Sequence, residues 1–367
     1  MKPRVLFITP LPPPVHGSAM VSQYIKDSLL VNEAFECDFV NLSTSRRMDE
    51  IGKGGVKKLL RFIGSYFALL GKLLTRRYDL CYLAITCHDM GFLKDAPFVL
   101  LCKLFGRKVL IHQHNKGMSG CVERWPYRWL LPLVYRNTTV MLLSWHLYDD
   151  ISRVVKREQV VICANGIPEQ SCDEDENENE NCLRNVVLNL TQTSQNSRNY
   201  ISEQDNQREL DTIAQNLQVA SPLLASGAHT HPNGVSAMSV ASSPSGEGWG
   251  EAPLLLFLSN LIPSKGVYVL LDACRILSER GLDFVCDFVG GETKEIDRAT
   301  FEAAVKERGL EGIVCYQGPK YGEEKEVYWQ RADIFVQPTY DDCFPLTLVE
   351  AMQHRRPIVS TDRKSVV

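Results

Sequence analysis

The stretch Asp333–Asp362, DIFVQPTYDDCFPLTLVEAMQHRRPIVSTD, decides how the rest of this chain is read. Ile334–Val336 is a short apolar run, as expected of a strand buried on both faces. Polar, turn-forming residues follow it. A helix is expected to begin near Pro345, where proline is best tolerated. Ile358–Ser360 then reads as a further strand. Strand, helix and strand in thirty residues is the unit from which parallel α/β sheets are built.

The same alternation runs outward from this stretch. Upstream, the pattern predicts strands at Leu254–Leu258, Phe284–Val289 and Ile313–Tyr316. Helices are expected at Val267–Arg280, Ala299–Arg308 and Glu323–Arg331. A second series occupies the start of the chain. Its strands are Arg4–Thr9, Cys37–Asn41, Leu80–Ile85, Val109–His112, Val140–Leu143 and Val160–Cys163, with helices at about Ser18–Leu30 and at Val56–Leu74. Between the two series, residues 170–252 hold a DEDENENEN run and then Ser/Asn/Gln-rich text. Aliphatic content there is too low to offset chain entropy, so a disordered insert is expected rather than a third domain. The expected organisation is an α/β chain of two Rossmann-like domains, 1–169 and 253–367, joined through the insert at 170–252. Open α/β sheets bind ligands beyond the carboxyl ends of their strands.

Composition narrows the class. The 367 residues are 44% hydrophobic and 23% charged, which excludes a wholly disordered chain, a fibre and a disulfide mini-protein. The net charge of −4 conceals an asymmetry. Residues 1–169 carry 23 Lys/Arg against 14 Asp/Glu, and residues 170–252 carry 3 against 12. A basic first half suits anionic partners such as a membrane surface or phosphorylated ligands. Nucleic acid is not expected, because no basic tract is interleaved with a recognition motif. The 12 cysteines are scattered, with no C-x-x-C pair, so neither zinc nor redox chemistry is indicated. With no export signal and no apolar run able to span a bilayer, a reducing cytoplasm is the expected setting.

Several segments could carry chemistry. Asp342 precedes the helix that begins near Pro345, and Glu350 lies within it. Amides at such a helix start can hold a phosphate, and carboxylates can accept hydrogen bonds from sugar hydroxyls. From spacing alone, a loop acid and a solvated helix glutamate is the plainer account. Leu258–Gly266 (LSNLIPSKG) follows a strand and offers Lys265. Pro12–Ser18 (PPPVHGS) follows the first strand; Gly17 would let a ligand approach the backbone, while His16 reads as a loop residue. Val109–Gly117 (VLIHQHNKG) places His112 and His114 at the end of a strand. They share a face at i, i+2, but no third ligand makes a zinc site. Val161–Pro168 (VICANGIP) contains Asn165-Gly166, expected to make a tight turn with positive φ. Lys57–Arg77 is a helix with basic ends, which could pack on a core or dock on anionic lipid.

The text from Asp342 to Asp362 resembles the E-x7-E signature of the family-4 retaining glycosyltransferases of GT-B architecture, with Asp342 as the first acid and Glu350 as the second. Leu258–Gly266 is similar to that family's G-R-L-x-x-x-K-G, with Asn260 in place of the arginine. The resemblance implies that Glu350 binds the donor's ribose and Asp342 the donor sugar. It places Phe344, Pro345 and Leu346 near the sugar and diphosphate, and Lys265 on the leaving diphosphate. Gly17 and Asn260 would line the donor site. A histidine at the end of Val109–His112 would contact the donor sugar; His112 and His114 both qualify, with His114 preferred because it lies further past the apolar run. The implied partners are a nucleotide-sugar donor and a glycan or lipid-linked acceptor, as in polysaccharide or glycolipid synthesis, with peripheral membrane contact through 57–77. No cofactor and no essential metal are implied. Family members continue past the S-T-D text, so the second domain is expected to be truncated. Two other activities fit the same motifs: an inactive nucleotide-sugar-binding protein, and a GT-B isomerase or hydrolase.

Overall fold

The structure, a computed structural model, describes residues 2–45, 55–168, 187–190, 252–340 and 342–361. By contacts these residues divide into two units.

The first unit contains β1 (Arg4–Thr9), α1 (Gly17–Asp27), α2 (Leu29–Ala34), β2 (Glu36–Asn41), α3 (Val56–Thr75), β3 (Leu80–Ala84), α4 (Asp89–Leu104), β4 (Val109–Gln113), α5 (Tyr127–Tyr135), β5 (Thr139–Leu142), α6 (Tyr148–Ile151) and β6 (Val160–Ile162). Six parallel strands lie in the order β2-β1-β3-β4-β5-β6. Alternate residues of β1 serve opposite faces, as a pleated strand requires. Leu6 and Ile8 join a core with Leu69 and Leu73 of α3, Phe92 and Phe98 of α4, and Leu131 of α5. Val5 and Phe7 join Tyr82 and Ala84 on the other face, with Ile25 and Val31 packed against them. The single helix expected over 18–30 is two helices. Ser28 adopts an extended conformation (φ −62°, ψ 120°) and its hydroxyl caps α2 by accepting the Val31 amide.

The second unit contains β7 (Val187–Leu190), β8 (Leu254–Leu258), α7 (Val267–Glu279), β9 (Val285–Val289), α8 (Arg298–Glu307), β10 (Val314–Gly318), α9 (Glu323–Arg331), β11 (Ile334–Gln337), the part of α10 (Leu346–Gln353) from Glu350 onward, and β12 (Ile358–Thr361). Its strands are also parallel, in the order β10-β9-β8-β11-β12-β7. The core gathers Phe257, Phe288, Val336 and Val359 from the sheet with Leu270, Leu277, Phe301 and Val305 from the helices.

Two boundaries differ from the sequence-based ones. Val187–Leu190 falls inside the stretch expected to be disordered, yet it forms β7 and pairs with β12 at the sheet edge. Its VLNL text is one of the few apolar runs in that stretch. The rest of the expected insert, 170–186 and 191–251, lies outside the described residues. Asp342–Val349, assigned from sequence to the second domain, groups with the first unit. The reason is packing: Cys343 and Phe344 lie against the first core. Which core an apolar side chain joins is not set by its neighbours along the chain.

In each sheet the strand order reverses direction once. In the first it does so between β1 and β3, and in the second between β8 and β11. Connections leave in opposite directions at such a point, and the crevice beyond the strand ends there is where open α/β sheets hold ligands.

Candidate active site

In the second unit, Asn260 and Lys265 lie on the loop after β8, at this reversal, and Glu350 lies on α10, between β11 and β12. Lys265 follows β8 on one turn of 3-10 helix, Pro263–Lys265, which ends in Gly266 at φ 81°. A Cβ on Gly266 would lie 1.9 Å from the Pro338 carbonyl oxygen just past β11, so only glycine fits there. The Tyr340 amide donates to the Ser264 carbonyl at 2.7 Å, and the Thr339 hydroxyl donates to the same oxygen at 3.2 Å. The loop bearing Lys265 is thereby tied to the loop after β11. Lys265 itself is half-buried.

Asn260 has a second task. Its Oδ1 accepts the Gly291 amide at 2.9 Å, so its carbonyl is spent on holding the loop after β9. Gly290 lies equally close, since a Cβ there would meet the Ser259 carbonyl oxygen at 1.9 Å. The sequence reading passed over Gly290-Gly291. A glycine pair at the end of a strand is the signal that could have found it.

Glu350 is 8% exposed. Lys325 of α9 donates to its Oε1 at 2.7 Å, while Oε2 is enclosed and meets no hydrogen-bond partner among the described residues. The solvated helix glutamate allowed by the sequence is therefore not what forms. One turn further on, His354 stacks on Trp329, with ring centroids 5.2 Å apart, and its Nδ1 lies 3.5 Å from Glu326.

The remaining singled-out residues belong to the first unit. Asp342, Phe344 and Leu346 are half-buried and Pro345 is buried. The helix begins at Leu346, directly after Pro345. Asn165 Nδ2 donates to the Phe344 carbonyl at 3.2 Å. The expected positive-φ turn at Asn165-Gly166 is absent, since neither residue adopts positive φ. The asparagine serves through its side chain instead.

Gly17 opens α1, and a Cβ there would meet no atom within 4 Å. Its glycine is not demanded by protein packing. His16 is not a bare loop residue: its ring caps α1, accepting the Ala19 amide at 3.4 Å. His112, at the end of β4, is buried, and its Nδ1 lies 2.5 Å from the Tyr82 hydroxyl. His114 lies just past the strand, with its ring centroid 3.9 Å from that of His112. Burial, reinforced by the charge of His114 on His112 and of His16 on His114, holds His112 down to about 2 and His114 down to about 4. Both rings are neutral at pH 7, suited to hydrogen bonding rather than to carrying charge. Their Nε2 atoms meet no partner among the described residues. Between them the structure separates the two histidines by environment, His112 bound to Tyr82 and His114 further out.

Fold and site together define a class: two parallel α/β units of GT-B type, with polar residues gathered at the strand reversals. Residues 243–367 match the family described as Glycosyl transferases group 1. This chain is 31% identical over 118 residues to the amylovoran biosynthesis glycosyltransferase AmsK of Erwinia amylovora, covering 30% of this chain and 28% of that protein. It is 32% identical over 116 residues to mannosylfructose-phosphate synthase of Agrobacterium fabrum, covering 30% and 26%. The matched region thus spans less than a third of either curated relative. Among solved structures, sucrose-phosphate synthase from Thermosynechococcus elongatus superposes with a TM-score of 0.58 at 15% identity, covering 98% of this chain and 81% of that one. Anabaena HepE in complex with UDP-glucose gives 0.54 at 13%, covering 97% and 80%. At such identities the likeness is one of fold.

Proposed function

We propose that this chain is a retaining glycosyltransferase that moves a sugar from a nucleotide-diphosphate donor to an acceptor hydroxyl. The observation that carries this is the strand reversal of the second sheet. There, the half-buried Lys265 and the loop leading to Glu350 are joined by the Tyr340–Ser264 hydrogen bond. Lys265 places a point cation for the departing diphosphate, the kind of stabilisation that grows as negative charge develops. Glu350 offers a buried carboxylate for ribose hydroxyls. Asp342 and the amides of Phe344–Leu346 serve the donor sugar and its phosphates, and neutral His114 donates to or accepts from a sugar hydroxyl. Asn260 shapes the loop rather than meeting the donor through its carbonyl. Attack by the acceptor on the face from which the diphosphate leaves gives retention with no protein nucleophile. The reaction needs no metal and no cofactor. The glycosyltransferase descriptions of the matched relatives and the UDP-glucose complex of HepE support a donor of this class, with polysaccharide or glycolipid synthesis as its setting.

A thermal-shift screen against nucleotide-diphosphate sugars tests the reading. A true donor at a hundredfold excess over Kd stabilises by about 2.7 kcal/mol. Lys265→Ala combined with Asp342→Ala abolishes the shift; an unchanged shift puts the site elsewhere. Products then separate transfer from hydrolysis or epimerisation, since only transfer consumes the acceptor.

The proposal includes peripheral docking on an anionic membrane through α3. Phe62, Tyr66, Leu69 and Leu73 face the core, while Val56, Leu60, Ile63, Phe67 and Leu74 on the outer side are exposed. Lys57 and Lys58 flank this face at its start. The basic residues at its other end are partly committed, because Lys72 and Arg76 both pair with Asp38. No described helix is long and apolar enough to cross a membrane.

A further inference from the structure

We infer that Lys325 is a positioning residue for the donor's ribose, acting through Glu350. This rests on the role proposed for Glu350 and adds a residue that no motif marks. Lys325 lies in the first turn of α9, among Glu323, Glu324 and Glu326, and its side chain is only 25% exposed. It reaches past these acids to Glu350 on α10, donating to Oε1 at 2.7 Å. A carboxylate accepts through both oxygens, and burying one without a donor is costly. Here Oε2 is enclosed and no described residue donates to it. A buried polar atom left in that condition needs an explanation, and a bound hydroxyl is one that fits a carboxylate oxygen. The ammonium holds one oxygen, so it sets the plane of the carboxylate, and the other oxygen is left for a hydroxyl donor. A ribose hydroxyl is such a donor. A purely structural tie between α9 and α10 already exists one residue along, at Glu326 and His354. It leaves no carboxylate oxygen of this kind to explain.

The test uses the full chain and calorimetric titration with UDP, ADP and GDP, each beside its 2′,3′-dideoxy counterpart. For whichever diphosphate binds, Lys325→Met is expected to weaken binding about tenfold, the loss of one charge-assisted hydrogen bond's worth of orientation. Lys325→Arg restores most of it. The dideoxy compound binds Lys325→Met and wild type alike, and Lys325→Met adds no loss in a Glu350→Gln background. Equal weakening of the dideoxy compound, or a full loss persisting in Glu350→Gln, overturns the inference, because Lys325 then acts on the diphosphate, the base or the fold. Wild-type affinity in Lys325→Met overturns it as well. If Glu350→Gln binds every diphosphate as wild type does, the role of Glu350 falls and this inference with it. Circular dichroism and the melting temperature of Lys325→Met and Lys325→Arg show whether each variant folds. If Met unfolds the protein, the Arg variant and Lys325→Gln carry the comparison.

Discussion

At the scale of single residues, burial turns ordinary side chains into specific ones. His112 and His114 sit with rings in contact, and burial keeps both unprotonated. Their folded values lie below the unfolded 6.5, so below that pH the unfolded chain binds protons that the folded chain refuses. Stability therefore rises with pH. It is fully present above pH 6.5 and is lost as pH falls towards about 4 for His114 and about 2 for His112. Each histidine removes about 1.4 kcal/mol per pH unit within its window. His114→Gln should flatten the fall in urea midpoint between pH 6.5 and 4.5; an unaltered slope refutes the assignment. Gly266 is the other case. With φ at 81° and a backbone oxygen 1.9 Å from any added Cβ, Gly266→Ala forces the Lys265 loop away from Pro338. A destabilisation of about 1–3 kcal/mol in chemical denaturation is expected. Donor affinity should fall with it.

At the scale of the element, α3 shows why periodicity alone left two readings open. A helix with one apolar stripe has one explanation, but this one is apolar on both sides. Leu69 is fully buried and Phe67 is 62% exposed, two residues apart on the same helix. Leu69→Ala should cost about 2–5 kcal/mol, as cavity-forming core truncations do. Phe67→Ser should leave the denaturation midpoint close to wild type while reducing co-sedimentation with vesicles rich in anionic lipid. Binding that ignores both Phe67 and lipid charge removes the membrane role. Asn165 is a comparable lesson in the loops. Its type suggested a turn, and its side chain instead holds the carbonyl of Phe344.

At the scale of the whole molecule, the residues proposed for the reaction lie near the two reversals of strand order. The reversal between β8 and β11 gathers Lys265 and the loop leading to Glu350, and the one between β1 and β3 lies among Gly17 and the strand ends near His112. Binding of a nucleoside diphosphate should therefore follow Lys265 and Glu350 and ignore His114. His114→Ala is expected to lower turnover of the nucleotide sugar about 10²-fold, the size seen on removing one donor from a charge-stabilising site. Its Kd for the diphosphate should stay as in wild type. A parallel loss of diphosphate affinity would assign His114 to the phosphates instead of the sugar.

Much of this architecture was legible along the chain, because buried parallel strands are short apolar runs and the helices between them carry their own periodicity. Arg4–Thr9, Leu254–Leu258 and Glu323–Arg331 form as the pattern predicts. The K-G pair at Lys265-Gly266 and the acids at Asp342 and Glu350 were visible as residue types in a meaningful order. What the chain could not disclose depends on distances between residues far apart in sequence. Lys325 meets Glu350 across 25 positions, Asn165 meets Phe344 across 179, and Asn260 is claimed by Gly291 across 31. Local order determines which elements form. Only packing, where desolvation makes every buried polar atom seek a partner, decides which side chains are spent on the fold and which are left for a ligand.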